Sequence, residues 1–177
     1  MLVNTIVVFK SRYGSSKQYA EWIAEDLGCE AVDAKGIKAA ELEKYDCIIY
    51  GGGLYAEMIG GISLITKNFE KLKDKKLVVF STGITPLKYR EYYDKMVLEK
   101  NFKPHMREKI KVYNFLGKMI LDELTPVHRG AIKTLKKIMS SKENPTDMEK
   151  LLVELCDADG DFSDRSSIGE LVAYVRG

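Results

Sequence analysis

The chain has 177 residues, 45% apolar and 31% charged, with a net charge of +2, which fits one compact globular domain able to bury a core without disulfides or metals. No apolar run reaches bilayer-spanning length, and Met1-Leu2-Val3-Asn4-Thr5 lacks the basic and apolar pattern of a secretion signal, so a cytoplasmic protein is expected. Cys29, Cys47 and Cys156 form no CxxC or Cys/His cluster, so reduced thiols are expected, with Cys29 and Cys47 filling core space, and a metal site is not.

Thr5-Ile6-Val7-Val8-Phe9 is a short, β-branched apolar run, as a strand covered on both faces should be. After Lys10–Ser16, residues Ala20, Ile23, Ala24 and Leu27 recur at i, i+3, i+4, i+7 and mark an amphipathic helix. A capping box of Ser15 and Gln18 is expected to start it and Gly28 to end it. Cys29–Val32 supplies a second strand, and Leu42 falls in a short helix after it. Asp46-Cys47-Ile48-Ile49-Tyr50 is the third strand, ending at Gly51-Gly52-Gly53. Ile62, Ile65, Phe69 and Leu72 then keep helical spacing. Leu77–Ser81 is the fourth strand, followed by Thr82-Gly83 and a helix from about Pro86 to Lys100. Ile110–Leu116 is the fifth strand, and Ile168, Leu171, Val172 and Val175 mark a last helix.

Strands alternating with helices imply an α/β fold: a three-layer, doubly wound, five-stranded parallel sheet. One domain, residues 1–177, is expected, with residues 117–165 as a helical insertion after strand five, because that connection far exceeds a usual βα loop. Ile132, Leu135, Ile138 and Met139 give the insertion an amphipathic helix with Lys133, Lys136 and Lys137 on its other face. Charge is divided unevenly. Residues 88–142 carry 14 basic against 6 acidic side chains, and residues 143–177 carry 3 against 9. Two surfaces with different partners, or two faces that neutralise each other, both fit that division. Asp157-Ala158-Asp159-Gly160-Asp161 has a calcium-loop look, but Phe162 stands where that loop needs Gly and Ile168 where it needs Glu, so a solvated acidic loop is expected.

In open parallel sheets, ligands bind beyond the carboxyl ends of the strands, where strand order reverses. Residues 10–16, 51–58 and 81–86 reach that edge. The first loop offers Ser11, Ser15 and Ser16 with a helix N-terminus whose N–H groups and dipole suit a phosphate, and Gly14 lets the backbone wrap closely. It lacks the ending of a P-loop and is not GxGxxG. A phosphate cradle and a plain serine-rich helix start are the two readings of these residues.

Ser11-Arg12-Tyr13-Gly14-Ser15-Ser16 resembles the Ser/Thr-x-Thr-Gly-x-Thr phosphate loop of flavodoxins, with Tyr13 and Ser16 each standing where Thr is usual. The resemblance implies strand order 2-1-3-4-5 and an FMN whose phosphate is held by Ser11, Arg12, Tyr13, Gly14, Ser15 and Ser16. It implies that Gly53, Leu54, Tyr55 and Ala56 flank the flavin ring, with flexible glycines letting backbone groups meet its edge. Ser81, Thr82, Gly83 and Ile84 resemble the third flavin loop, without the tyrosine that many electron-transfer flavodoxins stack there. Over its whole length the chain also resembles the flavodoxin-domain branch related to bacterial oxygen-independent protoporphyrinogen oxidase, which carries a long basic insertion after strand five.

The resemblance implies an FMN-dependent oxidoreductase, of protoporphyrinogen oxidase type within that branch. An electron carrier without its own substrate, and a cofactor-less interaction module of the same fold, are the alternatives. The expected partner is a redox protein or small-molecule substrate; nucleic acid is not expected. The basic insertion suits anionic propionates, an anionic membrane surface, or a solvated lysine face.

Overall fold

A computed structural model describes residues 3–177; Met1 and Leu2, which the sequence places ahead of the first strand, lie outside the described residues. Five parallel strands form the sheet: β1 (Thr5–Lys10), β2 (Glu30–Asp33), β3 (Cys47–Tyr55), β5 (Lys76–Gly83) and β6 (Ile110–Leu116). A two-residue β4 (Met58–Ile59) folds back antiparallel on β3. The order is β2-β1-β3-β5-β6, the 2-1-3-4-5 expected once β4 is set aside.

Right-handed crossovers decide the layers. From β1 the chain steps outward to β2, which puts α1 (Ser15–Leu27) on one face. It then reverses across β1 to β3, β5 and β6, which puts the short helices α2 (Ala39–Leu42), α3 (Ser63–Thr66), α4 (Phe69–Leu72), α5 (Leu98–Asn101) and α6 (Pro104–Arg107) on the other. The first face is closed by α9 (Gly169–Arg176), whose Leu171, Val172 and Val175 join Val7, Phe9, Ile23, Ile49, Val78 and Phe80 in one core cluster. Period-2 alternation turns Ile6, Val8, Ile48, Tyr50, Leu77 and Val79 to the opposite face, where they are also buried.

Several local expectations change. No capping box starts α1: Gly14 is its N-cap, with φ 94° and no side-chain cap, and the helix begins at Ser15. Gly28 does end it, at φ 66°. The helical spacing of Ile62–Leu72 is divided between α3 and α4, with Lys67 and Asn68 interrupting it. The helix expected from Pro86 starts at Arg90, because proline favours the turn at Pro86–Tyr89. It runs as a wide π-helix through Tyr92–Val97 before tightening into α5.

Among the described residues, 118–162 form one compact unit and 3–117 with 163–177 another. Within the first, β7 (Lys118–Met119) pairs antiparallel with β8 (Gly160–Asp161), and α7 (Pro126–Ser140) packs on α8 (Asp147–Leu155). Thr146 and Glu149 form a capping box on α8. No residue of α7 is fully buried. Ile132, Leu135 and Met139 are half-buried, whereas Ile138, expected on the same apolar face, is 52% exposed. The acidic stretch serves as structure: Asp157 pairs with Lys136, and Asp159 accepts the Leu121 N–H. No helix among the described residues is long and apolar enough to cross a membrane.

Candidate functional site

The ends of β1, β3 and β5 lie in register at one edge: Lys10 opposite Gly52, and Gly53 opposite Thr82. Because the chain leaves β1 for one side and reaches β3 on the other, the loops after these strands part and leave a crevice.

In the first loop, the Ser11 hydroxyl accepts the Gly14 N–H at 3.1 Å and closes a tight turn onto α1. With no side-chain cap and no acidic residue in its first turn, the thirteen-residue α1 presents a positive N-terminal end that suits an anion. Arg12 is exposed, Tyr13 half-buried, and Ser15 and Ser16 are buried. The Ser16 hydroxyl hydrogen-bonds that of Thr82 at 2.8 Å, so the first loop is tied to the third.

The second segment departs from the expectation of a flexible glycine loop. Gly51, Gly52 and Gly53 lie inside β3, paired with neighbours on the sheet. Space explains them. A Cβ on Gly51 would fall 1.9 Å from the Phe80 ring, and one on Gly52 would fall 2.5 Å from the Gly60 carbonyl oxygen. Phe80 is wholly buried and sits among Tyr19 and Phe115, so it has little freedom to withdraw. Leu54 and Tyr55, as adjacent strand residues, leave on opposite faces, so they cannot both lie against the same side of one planar ring. Leu54 comes against the Cα of Gly83, while the ring of Tyr55 lies over Gly53. Tyr55 remains 40% exposed. Burial pushes its phenol up from the ordinary value and Tyr13 adds to this, with Arg12 acting in the opposite direction.

Ser81, Thr82 and Gly83 likewise belong to β5 rather than to a loop. The Ser81 hydroxyl donates to Asn114 Oδ1 at 2.7 Å, and Ile84 is half-buried just beyond the strand. Gly117 follows β6 where a Cβ would fall 2.8 Å from Ser15 Oγ, which adds a fourth strand end to this edge.

Sequence reading missed the hairpin made by β3 and β4. Its connection is Ala56-Glu57, not the Asn-Gly that announces such turns. It also missed Asn101, whose side chain reaches that hairpin; no local pattern marks a contact so distant in sequence. His105 packs its ring edge-on to Phe69. Among the described residues, no group of three or more His, Cys, Asp or Glu is placed to hold a metal ion.

The family described as the Flavodoxin domain matches residues 6–148, and no curated protein sequence matches the chain. Similar solved structures include a WrbA-like flavodoxin from Agrobacterium tumefaciens, 20% identical over 70% of this chain and 81% of that one, at TM-score 0.46. A flavodoxin from the domain Archaea is 15% identical over 98% and 99%, at TM-score 0.44. A flavoprotein from Lactobacillus acidophilus, solved in complex with FMN, is 13% identical over 64% and 92%, at TM-score 0.41.

Proposed function

The chain belongs to the flavodoxin-domain family, and from that premise we propose that it binds one FMN at the carboxyl edge of its sheet and works as a flavin-dependent oxidoreductase. The observation that carries this reading is the start of α1, an uncapped helix N-terminus behind a left-handed glycine and beside three serines. Such a cradle fits a phosphate monoester, which needs many donors and a positive dipole end.

When bound, the flavin supplies the electron transfer. The chain supplies binding and orientation. Ser11, Gly14 and the N–H groups opening α1 hold the phosphate, with Arg12 adding positive charge. Ser16 and Thr82 share one hydrogen bond between their hydroxyls, which leaves one O–H of the pair to donate to the ligand beside the backbone N–H groups. Gly53, Leu54, Tyr55 and Ala56 form the rim on the β3 side, and Gly83 and Ile84 the rim on the β5 side. The aromatic body of Tyr55 suits a planar apolar ring.

The finer proposal concerns the substrate. The excess of basic side chains over residues 88–142 favours a small molecule carrying carboxylates, in the manner of a porphyrinogen, over a basic protein partner.

The first test is a visible spectrum of the purified protein, followed by titration of the colourless form with FMN. Oxidised-flavin bands, or uptake of FMN with micromolar or tighter affinity, support the reading. A protein that is colourless and takes up no FMN overturns it and leaves an interaction module. Oxidation of a porphyrinogen by the loaded protein then separates an enzyme from an electron carrier, which exchanges electrons with dyes but leaves the porphyrinogen untouched.

A further inference from the structure

The rim of the proposed site includes a turn that its own residues disfavour. Leu54 pairs with Ile59 and Tyr55 with Met58, which leaves Ala56 and Glu57 as a two-residue connection. Both have positive φ, 48° and 62°. Two consecutive positive φ values are the signature of the type I′ hairpin turn, which matches the strand twist but is normally built from Asn and Gly. A side chain with a Cβ meets steric resistance there, and this turn has two of them. Something other than local preference holds it.

The holding groups come from the end of α5. Asn101 is buried, and its Oδ1 accepts the Ile59 N–H at 2.8 Å. Its Nδ2 donates to the Glu57 carbonyl at 2.7 Å and to the Val97 carbonyl, one turn earlier on its own helix, also at 2.7 Å. One amide thus ties the turn, at Glu57, and the returning strand, at Ile59, to the helix. Lys100 adds an ion pair to the Glu57 carboxylate and a contact to the Ala56 carbonyl at 3.4 Å. The π-helix at Tyr92–Val97 precedes these residues. Its wider turn rotates α5 about the helix axis relative to a regular α-helix, and so sets the direction in which Asn101 points.

We propose that Asn101 is a positioning residue for the flavin site, fixing the Tyr55–Ile59 rim by bonding its strained turn at Glu57 and the strand that returns from it at Ile59. This rests on the flavin reading above for the identity of the ligand, but not for the tether itself. Without the amide, the turn relaxes and the backbone at Ala56 and Glu57 samples ordinary negative φ, which withdraws the rim from the cofactor.

The test uses the full-length chain and reads amide hydrogen exchange at residues 56–59 without cofactor, together with FMN affinity and midpoint potential. Asn101→Ala is expected to speed exchange at Ile59 and weaken FMN binding, each by roughly tenfold, and to shift the potential. Adding Ala56→Asn and Glu57→Gly, which make the turn self-sufficient, is expected to restore affinity and potential in the Asn101→Ala background. A role confined to packing α5 predicts no such rescue. Asn101→Asp, which keeps the acceptor for Ile59 and loses both donors, serves if the alanine variant fails to fold; protection at Ile59 with weakened FMN binding is expected. Exchange and affinity unchanged in both variants overturn the inference, as does a loss that the Asn-Gly turn leaves unrestored. A wild-type chain that takes up no FMN overturns the flavin reading and this role together, whereas wild-type uptake with unaffected variants overturns this role alone.

Discussion

At the first loop glycine supplies a backbone angle, and in β3 it supplies room. Gly14 sits at φ 94° with no side chain capping the helix it opens. Gly51 and Gly52 are ordinary strand residues, and a Cβ on them would strike Phe80 or the Gly60 carbonyl. The two segments lie at the same edge of the sheet, yet they would answer substitution differently. A residue needed for its angle controls how a loop meets a ligand, while one needed for its room controls whether the core closes.

The sharpest way to break that contrast is Gly51→Ala. The added methyl overpacks a wholly buried ring, and a loss of about 3 kcal/mol or more in unfolding free energy is expected from denaturant titration. Phe80→Leu in the same chain should recover part of it. Gly14→Ala is expected to cost less, about 1–2 kcal/mol for holding an L-residue at positive φ, while FMN affinity falls by tenfold or more. If both variants lose the same stability and Gly14→Ala keeps its affinity for FMN, the contrast fails.

The smallest effect concerns the other end of the same strand. Burial pushes the Cys47 thiol up from 9.0 to about 11, with Lys76 and the Thr5 hydroxyl opposing that rise. The folded state therefore holds this proton more tightly than the unfolded one. Its contribution is full below pH 9 and disappears as pH rises through 11, with a loss of about 1 kcal/mol by pH 10. Comparing wild type with Cys47→Ala across that range isolates the effect: the variant should have a lower plateau and a shallower alkaline decline.

Where local pattern and tertiary packing agree, the fold was legible. The alternation of apolar runs located all five parallel strands of the main sheet, and Ile168, Leu171, Val172 and Val175 all proved buried. Gly28 ended α1 at positive φ as its position implied. The failures share a cause. Gly51–Gly53 read as a loop because glycine has poor strand propensity, and the reason for it here is the Phe80 ring on the next strand. Ser15 and Gln18 read as a cap because the motif is local, but Gly14 had already set the start of the helix. The candidate phosphate loop was visible because its donors are consecutive in sequence. The hairpin turn at the far rim was not, since Ala56-Glu57 carries no turn signature and its restraint arrives from Asn101.

Tyr19 bears on how long the chain beyond β6 is able to be. Its phenol donates to the Leu116 carbonyl at 2.7 Å and accepts the Asp164 N–H at 2.9 Å, while its ring stacks on Phe115 at 4.8 Å. One oxygen therefore gathers the points where the chain departs before residue 118 and returns after residue 162. With the two ends already gathered, lengthening the excursion between them costs little, since each doubling of a flexible loop adds only about 0.6 kcal/mol of closure entropy. The phenol thus acts as a clasp on the sheet side, and a change in the length of chain between the two ends leaves that clasp intact.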